Sequence, residues 1–287
     1  MTTNKYLLKS GPIGVFDSGY GGLTVLSEIK KLMPKYDYLY LGDNARAPYG
    51  SRSYELIYQF TLQAVKWLFS QGCHLIIIAC NTASAKALQT IQQNDLPQID
   101  ATKRVLGVIR PTAESIINIT KTKHVAILGT SATIASKSYE REINELYPDI
   151  KIFSEACPMW VPLVENKEYD KPGADYFVQQ HINRVLEKSK DIDTIILGCT
   201  HYPLLLNKIK EYTPKSIKLI SQGEYVAKSL EEYLNRHKTL ETLCSKRETS
   251  IYCTTDSHKR FESLASFFLN KEIVAKKVDL KTENDLV

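Results

Sequence analysis

No apolar run in these 287 residues approaches the ~20 needed for a membrane-spanning helix. The opening stretch MTTNKYLLKSGPIG also lacks the long apolar core and small-residue cleavage site of a secretory signal. The expected compartment is the cytoplasm, with no membrane involved. Cysteine is sparse and scattered, six residues at positions 73, 80, 157, 199, 244 and 253, with no Cys-x-x-Cys pair. Such usage excludes a secreted disulfide framework and offers no zinc spacing, so reduced thiols are expected. Also missing are the Gly-x-Gly-x-x-Gly fingerprint of dinucleotide folds and the Gly-Lys-Ser/Thr of phosphate loops, which disfavours nicotinamide and nucleotide chemistry. No stretch combines basic clustering with interleaved aromatics, and a formal charge of +5 is mild for this length. A solvated surface explains it better than nucleic acid does, and it is compatible with an acidic small substrate.

What remains is an average soluble composition, 43% apolar and 24% charged, in a chain long enough for two domains. Short β-rich apolar runs recur at Ile13–Phe16, Tyr38–Leu41, Leu75–Ala79, Val105–Val108, Val125–Leu128, Ile150–Phe153, Thr194–Leu197, Lys218–Ser221 and Ile251–Cys253. Between them lie segments of helical spacing: Leu23–Leu32, Ser53–Gln71, Ala83–Gln93, Thr112–Ile119, Ser138–Tyr147, Ala174–Lys188, Leu204–Tyr212 and Glu224–Arg236. This alternation predicts parallel sheets covered by helices on both faces, with sites at the carboxyl ends of the strands. The pattern runs twice. IGVF leads into Asp17-Ser18-Gly19 as VAIL leads into Gly129-Thr130-Ser131, and LIIIACNTASA around Cys80 is echoed by TIILGCTHYPL around Cys199. The fold expected is α/β, two similar doubly wound parallel-sheet domains facing each other across a cleft. The first is placed at 1–103 plus 222–287 and the second at 104–221.

A thiol at the end of a buried parallel strand, on the turn into a helix, lies near backbone N–H groups and the positive end of the helix dipole, which favour thiolate. Cys80 and Cys199 both occupy such a context. Each is followed by hydroxyl or amide residues, Asn81-Thr82 and Thr200-His201. Asp17-Ser18-Gly19-Tyr20-Gly21-Gly22 follows the first strand; its glycines allow close backbone approach, and its hydroxyl and N–H groups suit a carboxylate. Gly42-Asp43-Asn44 and Pro48-Tyr49-Gly50 are ordinary turn formers whose loop opens on the same sheet edge.

In this order and spacing, DSGYGG, GDNARAPYG, ACNTASA, VPLVE and GCTHYPLL resemble the motif set of the glutamate racemases, over roughly residues 12 to 230. The resemblance implies two α/β domains across a cleft, no cofactor, no metal, and supply of D-glutamate for peptidoglycan precursors and hence cell-wall biogenesis and cell shape. It further implies that Cys80 and Cys199 are the catalytic cysteines. Asp17 and Ser18, Tyr49 and Gly50, Asn81 and Thr82, and Thr200 and His201 match the glutamate-binding pairs. Asp17 on the Cys80 side, and Glu165 and His201 on the Cys199 side, match groups that assist the thiols. The partner implied is glutamate itself, without nucleic acid or membrane; a homodimer is compatible. Segment 166–173 is longer and more charged than the pattern leads one to expect, and the tail after about Cys244 matches no motif. Competing readings are another racemase of the superfamily, such as an aspartate racemase, a cysteine amidohydrolase with Cys199 as nucleophile, and a non-enzymatic binding module. The amidohydrolase leaves Cys80 unexplained.

Overall fold

Strand residues alternate between two apolar faces here, and that alternation builds the molecule. In the computed structural model, which describes residues 9–280, Val15, Tyr38, Tyr40 and Ile77 point to one face of a sheet, where Leu26, Ile29 and Leu230 cover them. Phe16, Leu39, Leu41, Ile76 and Ile78 point to the other, against Ile57, Val65, Leu68 and Phe69. Burial on both faces is what continuous apolar strands of a parallel sheet require. The termini included in the first-domain assignment, 1–8 and 281–287, lie outside the described residues.

The strands are β1 (Ile13–Asp17), β2 (Tyr38–Gly42), β3 (Leu75–Ile78), β4 (Arg104–Gly107), β5 (His124–Gly129), β6 (Lys151–Ala156), β7 (Thr194–Gly198), β8 (Lys218–Ile220), β9 (Ser250–Thr254) and β10 (Ala275–Lys277). They form a six-stranded sheet ordered β10-β9-β2-β1-β3-β4 and a four-stranded sheet ordered β6-β5-β7-β8. Every pairing is parallel. The second sheet is also covered twice: Ala126, Leu128, Ile195 and Leu197 pack with Trp160, Val178 and Ile182. Val125, Ile127 and Ile196 pack with Ile109, Tyr139 and Ile143. Among the described residues no helix is long and apolar enough to cross a membrane.

All nine expected strands form. The border drawn near Lys103 is corrected, because β4 pairs with β3 in register Leu75↔Arg104 to Ile78↔Gly107, so the change of sheet comes after Gly107. The chain returns after Ile220, and helix Gly223–Arg236 packs on helix Gly22–Leu32. A Cβ at Gly223 would stand only 2.8 Å from Glu28 Cγ, so glycine permits that contact. The helix expected at Ala83–Gln93 is broken into Asn81–Lys86, Leu88–Thr90 and a π-turn at Ile91–Asp95, with Leu96–Ile99 beyond. The helix expected from Thr112 starts earlier, at Ile109–Ser115, and ends in a 3₁₀ turn. Strand β10 and helices Trp160–Glu165 and His258–Leu269 had no expected counterpart.

Asp37 ties the C-terminal segment to β2. Its carboxylate accepts from Ser245 Oγ at 2.6 Å, Arg247 N at 3.0 Å, Thr249 N at 2.9 Å and Thr249 Oγ1 at 2.7 Å. Burial acts to raise the acid, but these donors outweigh it and hold the carboxyl below its ordinary value. A depressed carboxyl stabilises the fold above its unfolded value, about 3.9, and loses that contribution as pH falls through the folded value. Asp37→Asn is therefore expected to cost roughly 1.5–3 kcal/mol at neutral pH. Urea melts of both proteins check this: the gap should narrow as pH is lowered below about 4, and identical midpoints at pH 7 would remove Asp37 from the account.

Candidate active site

β3 delivers Cys80 and β7 delivers Cys199. Four buried residues, Leu75 to Ile78, carry the chain through the first sheet, and Cys80 then adopts an extended conformation as the cap of helix Asn81–Lys86. Its Sγ accepts from Ala83 N at 3.4 Å and lies 3.4 Å from Ser18 Oγ, which comes off the end of the neighbouring β1. Cys199 follows the buried run Thr194–Gly198, and its Sγ lies 3.9 Å from His201 Nδ1. All six cysteines are free and buried.

The carboxyl ends of both sheets meet at one cavity of about 150 Å³. It is lined by Ser18, Tyr49, Gly50, Cys80, Asn81, Thr82, Glu165, Cys199, Thr200 and His201, ten of the eleven residues singled out above. Asp17 lies beneath it, fully buried, accepting from Gly19 N at 2.9 Å through Oδ2 while Oδ1 has no partner. Glycines make the closure possible. A Cβ at Gly21 would fall 2.3 Å from Thr200 Oγ1 and 2.4 Å from His201 Nδ1, and one at Gly50 would fall 2.9 Å from Thr130 Cβ. Ala132 N donates to Gly50 O at 3.0 Å, and Thr24 Oγ1 to Thr200 O at 3.0 Å, so backbone groups also bind the two halves together. A second cavity, of about 390 Å³, meets Cys199 from another side, between Thr24 and Tyr225, but Cys80 does not reach it.

The electrostatics differ between the two thiols. Burial pushes the Cys80 thiol up to about 12, and the nearby Asp17 adds to the rise, while Ser18 and the Ala83 N–H pull the other way. Asp17 is itself raised by burial, against the pull of His201 and two backbone N–H groups. Burial acts to lower His201, yet its bonds to Cys199 and Glu165 prevail and lift the imidazole to about 10. Glu165 Oε1 is 3.0 Å from His201 Nε2. Cys80 thus rests as a neutral thiol beside an acid, and Cys199 beside an imidazolium.

Several side chains expected to face a ligand are already engaged. The Tyr49 hydroxyl donates to Asp43 Oδ2. Asn81 donates to Gln222 Oε1 at 2.6 Å and accepts from the Tyr139 hydroxyl at 2.7 Å. Both line the cavity with these polar groups already hydrogen-bonded within the protein. Thr82 Oγ1 is 2.9 Å from Thr130 Oγ1 and 3.3 Å from Thr133 Oγ1, and those two are 2.9 Å apart, a closed triangle of hydroxyls across the halves. Thr130 and Ser131 line the cavity without having been singled out as site residues, although the echo of Asp17-Ser18 in Gly129-Thr130-Ser131 pointed to that turn. Pro158 and Val161 also line it, from a stretch with no polar signal. Glu165 is placed by the short helix Trp160–Glu165, whose Trp160 packs edge-on against Tyr202 at 4.8 Å.

A model of the family described as Asp/Glu/Hydantoin racemase matches residues 13–230. The glutamate racemase of Shouchella clausii is 40% identical over 262 residues, covering 91% of each chain. The crystal structure of glutamate racemase isoform RacE1 from Bacillus anthracis superposes with a TM-score of 0.86 at 38% identity, covering 95% of this chain and 98% of that one. That of glutamate racemase from Francisella tularensis in complex with D-glutamate gives 0.84 at 33% identity, covering 94% and 98%.

Glu165 is, with Cys199, one of the two partners that raise His201 in this geometry. With Glu165→Gln the ion pair is lost while burial remains, so the imidazole midpoint, about 10 in the parent, should fall toward the ordinary ~6.5. A raised histidine stabilises the fold below the unfolded value and loses that contribution as pH rises through the folded one. Parent stability should accordingly drop between about 6.5 and 10 more steeply than that of the variant. Imidazole NMR titration reads the midpoint directly; the same midpoint in both proteins would refute the coupling.

Proposed function

This chain belongs to the Asp/Glu/Hydantoin racemase family, and we propose that it interconverts L- and D-glutamate by passing a proton between substrate and two thiols on opposite faces of the α-carbon. The observation that carries the reading is that Cys80 and Cys199, each at the end of a strand in a different sheet, line one small cavity. At about 150 Å³ this cavity is well below the ~300–1,000 Å³ of pockets for drug-sized ligands, and suits an amino acid.

Inversion needs a proton removed from one face and another returned to the opposite face. Two fixed bases do this without moving. One cysteine enters as thiolate and takes the α-proton, leaving the electron pair on carbon and delocalised into the carboxylate. The other cysteine, entering as thiol, gives its proton to the opposite face and is left as thiolate. Burial and Asp17 favour the proton on Cys80, and the His201–Glu165 pair stands beside Cys199. Donors from Ser18, Thr200 and the backbone of Asn81 and Thr82 hold the substrate carboxylate and stabilise the charge that develops there. On this reading Asp17, Glu165 and His201 tune proton transfer, while Tyr49 and Gly50 contribute to binding through their backbone.

The same reading places the enzyme in the cytoplasm, supplying D-glutamate to peptidoglycan precursors, without cofactor, metal or nucleic acid. On this reading the two sheets are the cores of two domains that face each other across the substrate cleft, and a homodimer is compatible with this arrangement.

Purified protein incubated with either enantiomer of glutamate and a chelator, with no added cofactor, is expected to give the racemic mixture by optical rotation. In heavy water, product formed early should carry deuterium while unreacted substrate stays largely protiated. Cys80→Ser and Cys199→Ser should each lose roughly 10²–10⁴-fold in kcat, the range of a positioned acid or base. Equal or greater turnover of aspartate would overturn the substrate. Full activity in either cysteine variant would overturn the two-thiol mechanism.

A further inference from the structure

Behind the cavity a buried polar circuit joins the two thiol-bearing turns, and the proton-transfer scheme makes no use of it. Tyr139, on helix Ser138–Leu146, lays its ring against Gly198, the residue before Cys199. A Cβ at position 198 would come within 3.2 Å of the ring Cε2. The hydroxyl, on the carbon next to that Cε2, donates to Asn81 Oδ1 at 2.7 Å, and Asn81 is the residue after Cys80. Asn81 Nδ2 in turn donates to Gln222 Oε1 at 2.6 Å. Gln222 Nε2 donates back to the Tyr139 hydroxyl, to Thr112 Oγ1 at 3.2 Å and to Val108 O at 3.3 Å. Asn81, Tyr139 and Gln222 are 2%, 1% and 3% exposed, so these bonds are made away from water.

The position of the circuit in the chain matters as much as its bonds. Val108 and Gln222 lie on the two connections between the sheets, just after β4 and just after β8. Each connection is thereby tied to a rigid aromatic ring that touches the Cys199 strand and to an amide adjoining Cys80. We propose that Tyr139 and Gln222 are positioning residues that set the spacing between the two thiols. Tyr139 is the strut from the end of β7 to the start of helix Asn81–Lys86, and Gln222 is the clasp that anchors Asn81 to both connections. The inference rests on the two-thiol reading for its catalytic meaning.

The geometry is demanding because both sulfurs must reach one carbon, and a misplacement of about 1 Å costs on the order of 10²-fold in such a step. Burial holds the Tyr139 phenol well above its ordinary range, so it remains a neutral donor throughout the working pH range. Gln222 supplies both an acceptor and a forked donor, which no apolar residue replaces.

The test is a double-mutant cycle of Tyr139→Phe and Gln222→Leu, with kcat and KM measured in both directions and thermal midpoints in parallel. Tyr139→Phe removes one oxygen and keeps the ring on Gly198, so it decides the matter alone should Gln222→Leu not fold. Each single variant is expected to lose roughly tenfold or more in kcat with KM changed less than about threefold. The double variant should be no worse than the worse single, since both act through Asn81. A kcat for Tyr139→Phe within about twofold of the parent, or effects that multiply in the cycle, overturns the proposal, because a purely structural role lowers the melting midpoint without that pattern. A parent protein that does not racemise glutamate sinks the two-thiol reading instead. The spacing proposal is then decided by site-resolved alkylation with iodoacetamide. Cys80 labelled several-fold faster in the variants, with Cys73 unchanged, supports it; unaltered Cys80 labelling overturns it.

Discussion

Two parallel strands from different sheets end in thiols that share one cavity, and holding those strand ends against each other is the constraint on which the rest of the structure depends. A sheet of this kind presents its loops and helix starts at the carboxyl edge, so two such edges must close with almost no space between them. The close approaches occur where a side chain is missing. Gly21 lets Thr200 and His201 in, and Gly50 admits Thr130. The hydrogen bonds across the seam use backbone groups and short hydroxyls, as in Ala132 N to Gly50 O and the Thr82–Thr130–Thr133 triangle. Long flexible side chains would carry a larger entropic cost there and hold the edges less firmly.

Closure also creates the electrical difference between the two thiols. The same burial raises Cys80 and pulls His201 downward, and what distinguishes the outcomes is the neighbour that each group meets. Asp17 stands by Cys80 and makes charge at that sulfur costlier. Cys199 and Glu165 stand by His201 and together reverse the effect of burial on the imidazole. The two halves of the chain repeat one architecture yet supply different neighbours, so one turn rests as acid and the other sits beside a cation.

Parts of the chain far from the motifs support that arrangement. Helix His258–Leu269 returns across the seam, with Phe268 edge-on to His201 at 5.8 Å and Phe267 facing Tyr169 at 5.7 Å. Lys167 stacks over Phe267 at 5.6 Å, so the unusually charged segment 166–173 meets the C-terminal helix. On the far side Glu155 binds His181 at 3.0 Å and Lys188 at 2.9 Å, and His181 packs against Trp160 at the start of the helix that ends in Glu165. The helix that carries the carboxylate beside His201 is thus packed at its start against a charged cluster built from Glu155, His181 and Lys188.

What could be read from the sequence was local. Short continuous apolar runs bounded by turn residues located nine strands, because a strand buried on both faces leaves that pattern whatever surrounds it. The cysteine contexts after two such strands, with the glycine-rich turn after β1, pointed to the chemistry and to ten of the residues that line the cavity. What the tertiary structure alone decided was direction and partnership. Nothing local reveals that the Asn81 amide is consumed by Gln222 and Tyr139, 141 and 58 residues away in the chain. Nor does it reveal that the Tyr49 hydroxyl turns back to Asp43, or that β4 stays with the first sheet while the next strand starts the second. A side chain's identity is written in the chain, but the groups that compete for its hydrogen bonds come from whatever the fold brings beside it, and that depends on contacts between residues remote in sequence.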